Sequence, residues 1–146
     1  GTGPIHKDAE TLLVDPLTAD IYVITKRTSP SLVYRVAYPQ STTTTSTMEL
    51  VAALPWHGAT GGDISPDGSL ILVRRYSGSL PGASVWTRPP GASVADAFAN
   101  ARCDVPLAAE PQGEAICWDP DGRGYMTVSE TTDPGSLIPI WYFARN

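Results

Sequence analysis

The chain has 146 residues with 10 Lys and Arg against 15 Asp and Glu, and its net charge of −5 excludes the basic face that nucleic acid requires. No apolar run approaches the ~18 residues of a membrane span, the best being Leu137 to Ala144. Hydrophobic residues make up 42%, enough to build a core, and the length suits one domain of the common ~100–150 residues.

With 13 Gly and 14 Pro, almost every window of fifteen residues is interrupted, so long helices have little room. Short runs rich in Val, Ile, Tyr and Thr lie between the breaks and read as strands. In chain order they fall at 9–15, 20–26, 31–37, 48–54, 60–65, 70–76 and 83–88, then at 102–107, 113–118, 124–130 and 137–144. One helix is expected at 93–100, capped by Ser93 with Asp96 three residues on, its apolar positions Val94, Ala97 and Phe98 sharing a face. The tract Ser41-Thr-Thr-Thr-Thr-Ser-Thr47 reads as a surface excursion, with O-glycosylation as the alternative. The chain opens Gly1-Thr2-Gly3, without an initiating Met or a leader pattern, and reads as an excised or processed product.

Three segments align on a proline. Asp8-Ala-Glu-Thr-Leu-Leu-Val-Asp-Pro16 is followed by Ile21-Tyr-Val-Ile-Thr-Lys26. Thr60-Gly-Gly-Asp-Ile-Ser-Pro66 is followed by Asp67-Gly68 and Ile71-Leu-Val-Arg-Arg-Tyr76. Gly113-Glu-Ala-Ile-Cys-Trp-Asp-Pro120 is followed by Asp121-Gly122 and Tyr125-Met-Thr-Val-Ser-Glu130. Each unit is a strand, a tight turn and a second strand, and Asp-Gly suits the turn because Gly reaches positive φ without a Cβ clash. A period near ~50 with four strands per unit belongs to β-propeller blades, which need neighbours on both faces. The expected fold is therefore all-β, a propeller of about three four-stranded blades at 6–55, 57–107 and 110–145, the last lacking its outer strand. Closed propellers have ~4–8 blades, so these units read as half of a six-bladed ring. The other half would be a second polypeptide, either an N-terminal half of the propeller or a second copy of the chain. Exposed blade faces would exceed the few hundred Å² of apolar patch that a monomer tolerates.

Asp8-Ala-Glu10, Asp15-Pro16, Gly62-Asp-Ile-Ser-Pro-Asp-Gly68 and Pro111-Gln-Gly-Glu-Ala-Ile116, with Ser129-Glu130 closing the next strand, carry a resemblance over nearly the whole chain. It resembles the C-terminal half of a group of secreted, bacterial-type six-bladed propellers similar to the esterase-like propellers related to phytases. The Ser-Pro-Asp-Gly turn is also shared by propellers of the TolB type. The resemblance implies an extracellular protein and, through the phytase-like group, calcium and phosphate-ester chemistry.

The first strand of each blade lines the channel. In proline register Glu10 and Glu114 are equivalent near one channel mouth, Thr60 holds that place in the second blade, and Asp63 lies three residues on. The ends of the second strands return to the same mouth with Lys26, Tyr76 and Glu130, and with Thr25, Arg75 and Ser129 beside them. Glu10, Glu114 and Glu130 are candidate oxygen ligands for Ca²⁺, and Lys26 and Arg75 for an anionic group. The alternative is that these carboxylates pair with Lys26 and Arg75 or with backbone amides. His6 and His57 precede the first strands at similar offsets and are candidate acid–base groups or, on the plainer reading, loop histidines. Asp119-Pro-Asp121-Gly122 reads as a hairpin turn rather than part of a calcium loop.

A secreted chain suggests a disulfide between Cys103 and Cys117, but they fall on an outer and the next inner strand, beyond the ~7 Å Cα limit, so two separate buried thiols are expected, with a bridge as the alternative. Trp56, Trp86, Trp118 and Trp141 are expected to pack between blades, with carbohydrate stacking as the alternative for Trp56. No serine-hydrolase elbow, dinucleotide loop or Walker loop occurs. The leading functional expectation is a non-catalytic extracellular binding or scaffold protein, and the alternative is a calcium-assisted phosphoesterase or related hydrolase with its site at the channel mouth.

Overall fold

The computed structural model describes residues 7–76, 81–131, 133 and 135–145. They form three antiparallel sheets, each meandering in chain order. The first contains β1 (Ala9–Val14), β2 (Ile21–Thr25), β3 (Leu32–Val36) and β4 (Glu49–Ala53). The second contains β5 (Ala59–Ile64), β6 (Leu70–Arg75), β7 (Gly82–Thr87) and β8 (Arg102–Val105), with helix α1 (Val94–Phe98) between β7 and β8. The third contains β9 (Gly113–Trp118), β10 (Gly124–Ser129) and β11 (Trp141–Ala144). The strand expected at 137–144 begins only at Trp141, because Pro139 has no N–H to give a ladder. The Ser93–Asp96 capping box is present: Ser93 Oγ accepts from the Asp96 amide at 3.1 Å and Asp96 Oδ2 from the Ser93 amide at 2.9 Å.

The turn chemistry matches the repeat. Gly68 and Gly122 sit at φ 74° and 67° in the two Asp-Gly hairpins. The first unit has no glycine there, and Ala19 takes φ 59° instead. A second shared feature is less visible in sequence. The pairing of first and second strands skips one residue in every sheet: Glu10 in β1, Thr60 in β5 and Glu114 in β9. These are the residues that the prolines align. A bulge leaves the extra residue out of the ladder and re-aims its side chain.

The inner strands β1, β5 and β9 lie side by side. Their close approach requires glycine in the middle sheet: a Cβ on Gly61 would lie 2.6 Å from the Glu114 carbonyl oxygen, and one on Gly62 would lie 3.0 Å from the Leu13 side chain. Leu13, Tyr22, Ile24 and Val33 of the first sheet pack on Ile71, Val73 and Trp86 of the second, sealed outside by Val94, Ala97 and Phe98 of α1. Leu72 and Ala83 meet Ile116, Trp118 and Tyr125 of the third sheet in a second core.

Two buried ion pairs cross these interfaces. Arg88 Nη1 meets Asp15 Oδ1 at 2.9 Å between the first and second sheets. The Arg74 guanidinium pairs with Glu110 between the second and third. Arg74 Nη1 also donates to the Ala115 carbonyl at 3.1 Å, and Glu110 Oε1 accepts from Thr127 Oγ1 at 2.9 Å.

The two outermost sheet faces carry apolar residues with nothing over them among the described residues. Leu12 pairs with Val23, Val14 with Ile21, and Val23 with Tyr34 on the face of the first sheet turned away from the second. Leu12 is 59% exposed and Val14 51%. Ala115, Cys117, Met126, Val128 and Tyr142 form the corresponding face of the third sheet. The cysteines are separate thiols, but both are exposed rather than buried. Cys117 lies on this open face, and Cys103 on β8 near the rim of the second sheet. Trp56, Trp86 and Trp118 are packed between sheets as expected, whereas Trp141 is 44% exposed on β11, the edge strand of its sheet.

Candidate functional site

At the ends where the bulges lie, the three sheets enclose an open cavity of about 550 Å³ lined by Lys26, His57, Tyr76, Gln112 and Glu114, among others. Every sheet contributes. Lys26 follows β2 and His57 precedes β5. Tyr76 follows β6, Gln112 precedes β9, and Glu114 is the bulged residue of β9.

Lys26 is the centre of the charge arrangement. Its Nζ donates to Glu10 Oε2 at 2.6 Å and lies 3.7 Å from Glu114 Oε1. The bulges at Glu10 and Glu114 turn two equivalent carboxylates from different sheets toward this one ammonium. Burial alone would lower the Lys26 pKa, but the two carboxylates outweigh it and raise it. Burial raises the Glu114 carboxyl, with Glu10 and Glu130 adding to the rise, while Lys26 and Gln112 oppose it. Glu130, exposed at the rim, accepts from Gln112 Nε2 at 2.7 Å. Tyr76 Oη donates to the Pro111 carbonyl at 2.9 Å, tying the second sheet to the strand entering the third.

The mouth therefore brings together Glu10, Lys26, Glu114 and Glu130, with His57 on the cavity wall. It does not include Asp63. That side chain lies in the interface of the second and third sheets, where its two oxygens accept from the Trp118 amide at 2.9 Å and the Ile64 amide at 2.8 Å. The parity of β5 explains this, since Asp63 stands three residues from the bulged Thr60. Burial raises the Asp63 carboxyl pKa despite those amides. Arg75 is also diverted: its guanidinium stacks 5.6 Å from the Trp56 ring centre. Trp56 is itself 8% exposed against Trp86, which removes the face a sugar would stack on. His6 lies outside the described residues. Among those described, no group of three or more His, Cys, Asp and Glu is arranged to hold a metal, and the trio Glu10, Glu114 and Glu130 is instead divided between Lys26 and Gln112. Asp119 serves its hairpin, accepting from the Arg123 amide at 2.8 Å and from Tyr142 Oη at 2.9 Å. Gln112 is the member of the site that sequence reasoning passed over, although it stands two residues before the bulged Glu114.

No family model matches the chain, and no curated protein matches it. Among solved structures it is similar to TolB from Acinetobacter baumannii, with a TM-score of 0.62 at 16% identity, over 94% of this chain and 30% of that one. The chain is a partial β-propeller. At that identity the likeness establishes fold alone, and the chain spans less than a third of the TolB length. The three sheets are its blades, and β1, β5 and β9 are the inner strands. No helix among the described residues is long and apolar enough to cross a membrane.

Proposed function

We propose that this chain is part of an extracellular β-propeller binding or scaffold protein, with its ligand site at the channel mouth. Its three blades form about half of a six-bladed ring that a second polypeptide, another chain or a copy of this one, completes. The observation that carries the binding reading is the cavity of about 550 Å³ to which all three blades contribute charged and hydrogen-bonding groups. A concave site of that size with a few convergent polar groups is what a small ligand requires. The ring reading is supported by the two apolar end faces, since propeller blades are covered on both sides. The extracellular reading rests on the resemblance and on the exposed Thr-rich connection 41–47.

One observation favours hydrolysis as a second reading: the Glu114 carboxyl is raised in a polar cavity, as a general acid requires. Calcium held by Glu10, Glu114 and Glu130 would have to displace Lys26, which makes binding the better account. The test combines thermal shift of the purified protein against monosaccharides, amino acids and inorganic phosphate with turnover of p-nitrophenyl phosphate, with and without calcium chloride. A ligand-induced shift that Lys26→Met abolishes, without turnover, is the expected result. Calcium-dependent turnover that Glu114→Gln abolishes would replace it with the hydrolase. Native mass spectrometry tests the ring: a folded monomer of 15.5 kDa as the dominant species overturns it.

A further inference from the structure

At the end of the strands opposite the channel mouth, a chamber of about 180 Å³ lies between the first and second blades. Asp15, Asp20, Tyr22 and Arg35 of the first blade and Arg88 of the second form its polar wall. Ser93 and Ala95, at the start of α1, stand beside them. Both sheets that enclose it have four strands. Thr18 and Arg88 also line a wider cleft of about 540 Å³, whose other walls include the exposed turn residues Leu17, Asp67 and Gly91. The chamber therefore adjoins a path to the surface between the β1–β2 and β5–β6 turns.

A count of donors and acceptors shows what the chamber asks for. All four carboxylate oxygens of its wall already accept hydrogen bonds. Asp15 Oδ1 accepts from the Leu17 amide at 3.0 Å and Arg88 Nη1 at 2.9 Å, and Oδ2 from Thr18 Oγ1 at 2.9 Å. Asp20 Oδ1 accepts from the Tyr38 amide at 2.8 Å, and Oδ2 from Arg35 Nε at 2.7 Å. Burial alone would raise both carboxyls, but Arg88 at Asp15, and the Tyr38 amide with Arg35 at Asp20, outweigh it and lower them, so both stay ionised. The donors are not used up. Arg88 spends Nη1 on Asp15 and Nε on the Ala92 carbonyl at 2.7 Å, and Arg35 spends Nε on Asp20. Arg88 Nη2, both Nη atoms of Arg35 and the Tyr22 hydroxyl make no hydrogen bond among the described residues. Tyr22 is 3% exposed and Arg88 8%, so these are deeply buried side chains with polar atoms on a cavity wall. Burial, with Asp20 adding to it, raises the Tyr22 hydroxyl and keeps its proton in place to donate.

We infer that this chamber binds a small oxyanion, a carboxylate or phosphate group, held by Arg35, Arg88 and the Tyr22 hydroxyl. Buried donors call for acceptors, and guanidinium N–H groups suit the paired oxygens of an oxyanion. A cation has no such welcome, because every carboxylate oxygen is engaged and each Asp is neutralised by its own Arg. The site is separate from the channel mouth and stands whether or not the mouth binds a ligand.

The test titrates the nitrogen-15-labelled chain with sodium acetate and, separately, with sodium phosphate, at constant ionic strength kept with sodium chloride. Two-dimensional proton–nitrogen NMR follows the Tyr22 amide and the Arg88 Nε–H. Saturable shifts at both are expected with at least one salt, acetate marking a carboxylate site and phosphate a phosphate site. Tyr22→Phe should weaken binding by about tenfold, the worth of one hydrogen bond to a charged group. Its urea midpoint should match the parent's, because the hydroxyl it removes has no partner among the described residues. Arg35→Lys keeps a charge for Asp20 but loses the fork, and should weaken binding to a similar degree. Shifts that never saturate, or that chloride reproduces, mean a chamber holding water only and overturn the inference. Binding that survives both variants overturns it as well. So does binding that Lys26→Met abolishes, which would belong to the channel mouth, or a lowered urea midpoint for Tyr22→Phe, which would give the hydroxyl a structural role.

Discussion

Replacing Glu110 with alanine is expected to cost far more than an ordinary polar substitution. The Arg74 and Glu110 side chains are 1% and 2% exposed, so the pair is wholly removed from water. Without the carboxylate, the guanidinium keeps a single described acceptor, the Ala115 carbonyl, and Arg74 Nε already has none. Removing one partner of such a pair costs about 3–5 kcal/mol, because the remaining charge stays buried. Loss of the Thr127 hydroxyl's acceptor adds about 1 kcal/mol. The double replacement Arg74→Met with Glu110→Met leaves no stranded charge, and comparable replacements of buried pairs are neutral or stabilising by about 1–4 kcal/mol. Urea unfolding followed by tryptophan fluorescence measures both, since Trp118 lies in this interface. The reasoning is refuted if Glu110→Ala loses under about 1 kcal/mol, the range of an exposed pair. It is equally refuted if the double variant is as unstable as the single one.

Four further outcomes follow from the same geometry. Gly113→Ala should match the Glu110→Ala loss in urea unfolding, because its Cβ would collide with Arg74 Nη2 and expel the guanidinium. Ala19→Gly should raise stability by about 0.5–1 kcal/mol in the same assay, since a non-glycine residue at positive φ is strained. Glu114→Gln should melt higher than the parent at pH 7 and alike near pH 4. Its carboxyl is raised in the fold, so the unfolded chain, at about 4.3, loses its proton first and stability falls as pH rises through that window; a variant equally destabilised at both pH values would contradict the sign. Cys117 should be alkylated at least tenfold more slowly in native protein than in urea if another blade covers its face, measured across pH to separate shielding from its raised thiol pKa; equal rates would mean the face is open.

The strand pattern was legible because each blade repeats a local grammar. Pro16, Pro66 and Pro120 mark the same point in three hairpins, and Gly68 and Gly122 supply the positive φ that the turn needs. Ser93 and Asp96 announced the helix start through a contact three residues apart. What stayed hidden depends on distances along the chain that no local pattern encodes. Arg88 reaches Asp15 across 73 residues and Arg74 reaches Glu110 across 36. Each was one of several unremarkable charges in sequence. Strand position alone does not bury the cysteines: Cys117 lies on a face left open among the described residues, and Cys103 on the edge strand β8. Asp63 has a charge suited to the mouth, but its strand parity turns it into the interface of the second and third sheets.

The channel mouth shows how the repeat and the site depend on one another. A regular β-ladder at Glu10 and Glu114 would keep every residue of β1 and β9 in the alternation that sends side chains to one sheet face or the other. The bulge takes these residues out of that alternation, at the one position the three blades share. The middle blade has Thr60 there, which turns to the Gly113 carbonyl at 3.4 Å and leaves room between the two carboxylates. Lys26 fills that room. A carboxylate at Thr60 would bring a third negative charge to a single ammonium, and a glutamate in all three blades would be a cation site rather than a lysine site. Thr60 in place of a third carboxylate thus leaves two carboxylates facing one ammonium at the mouth.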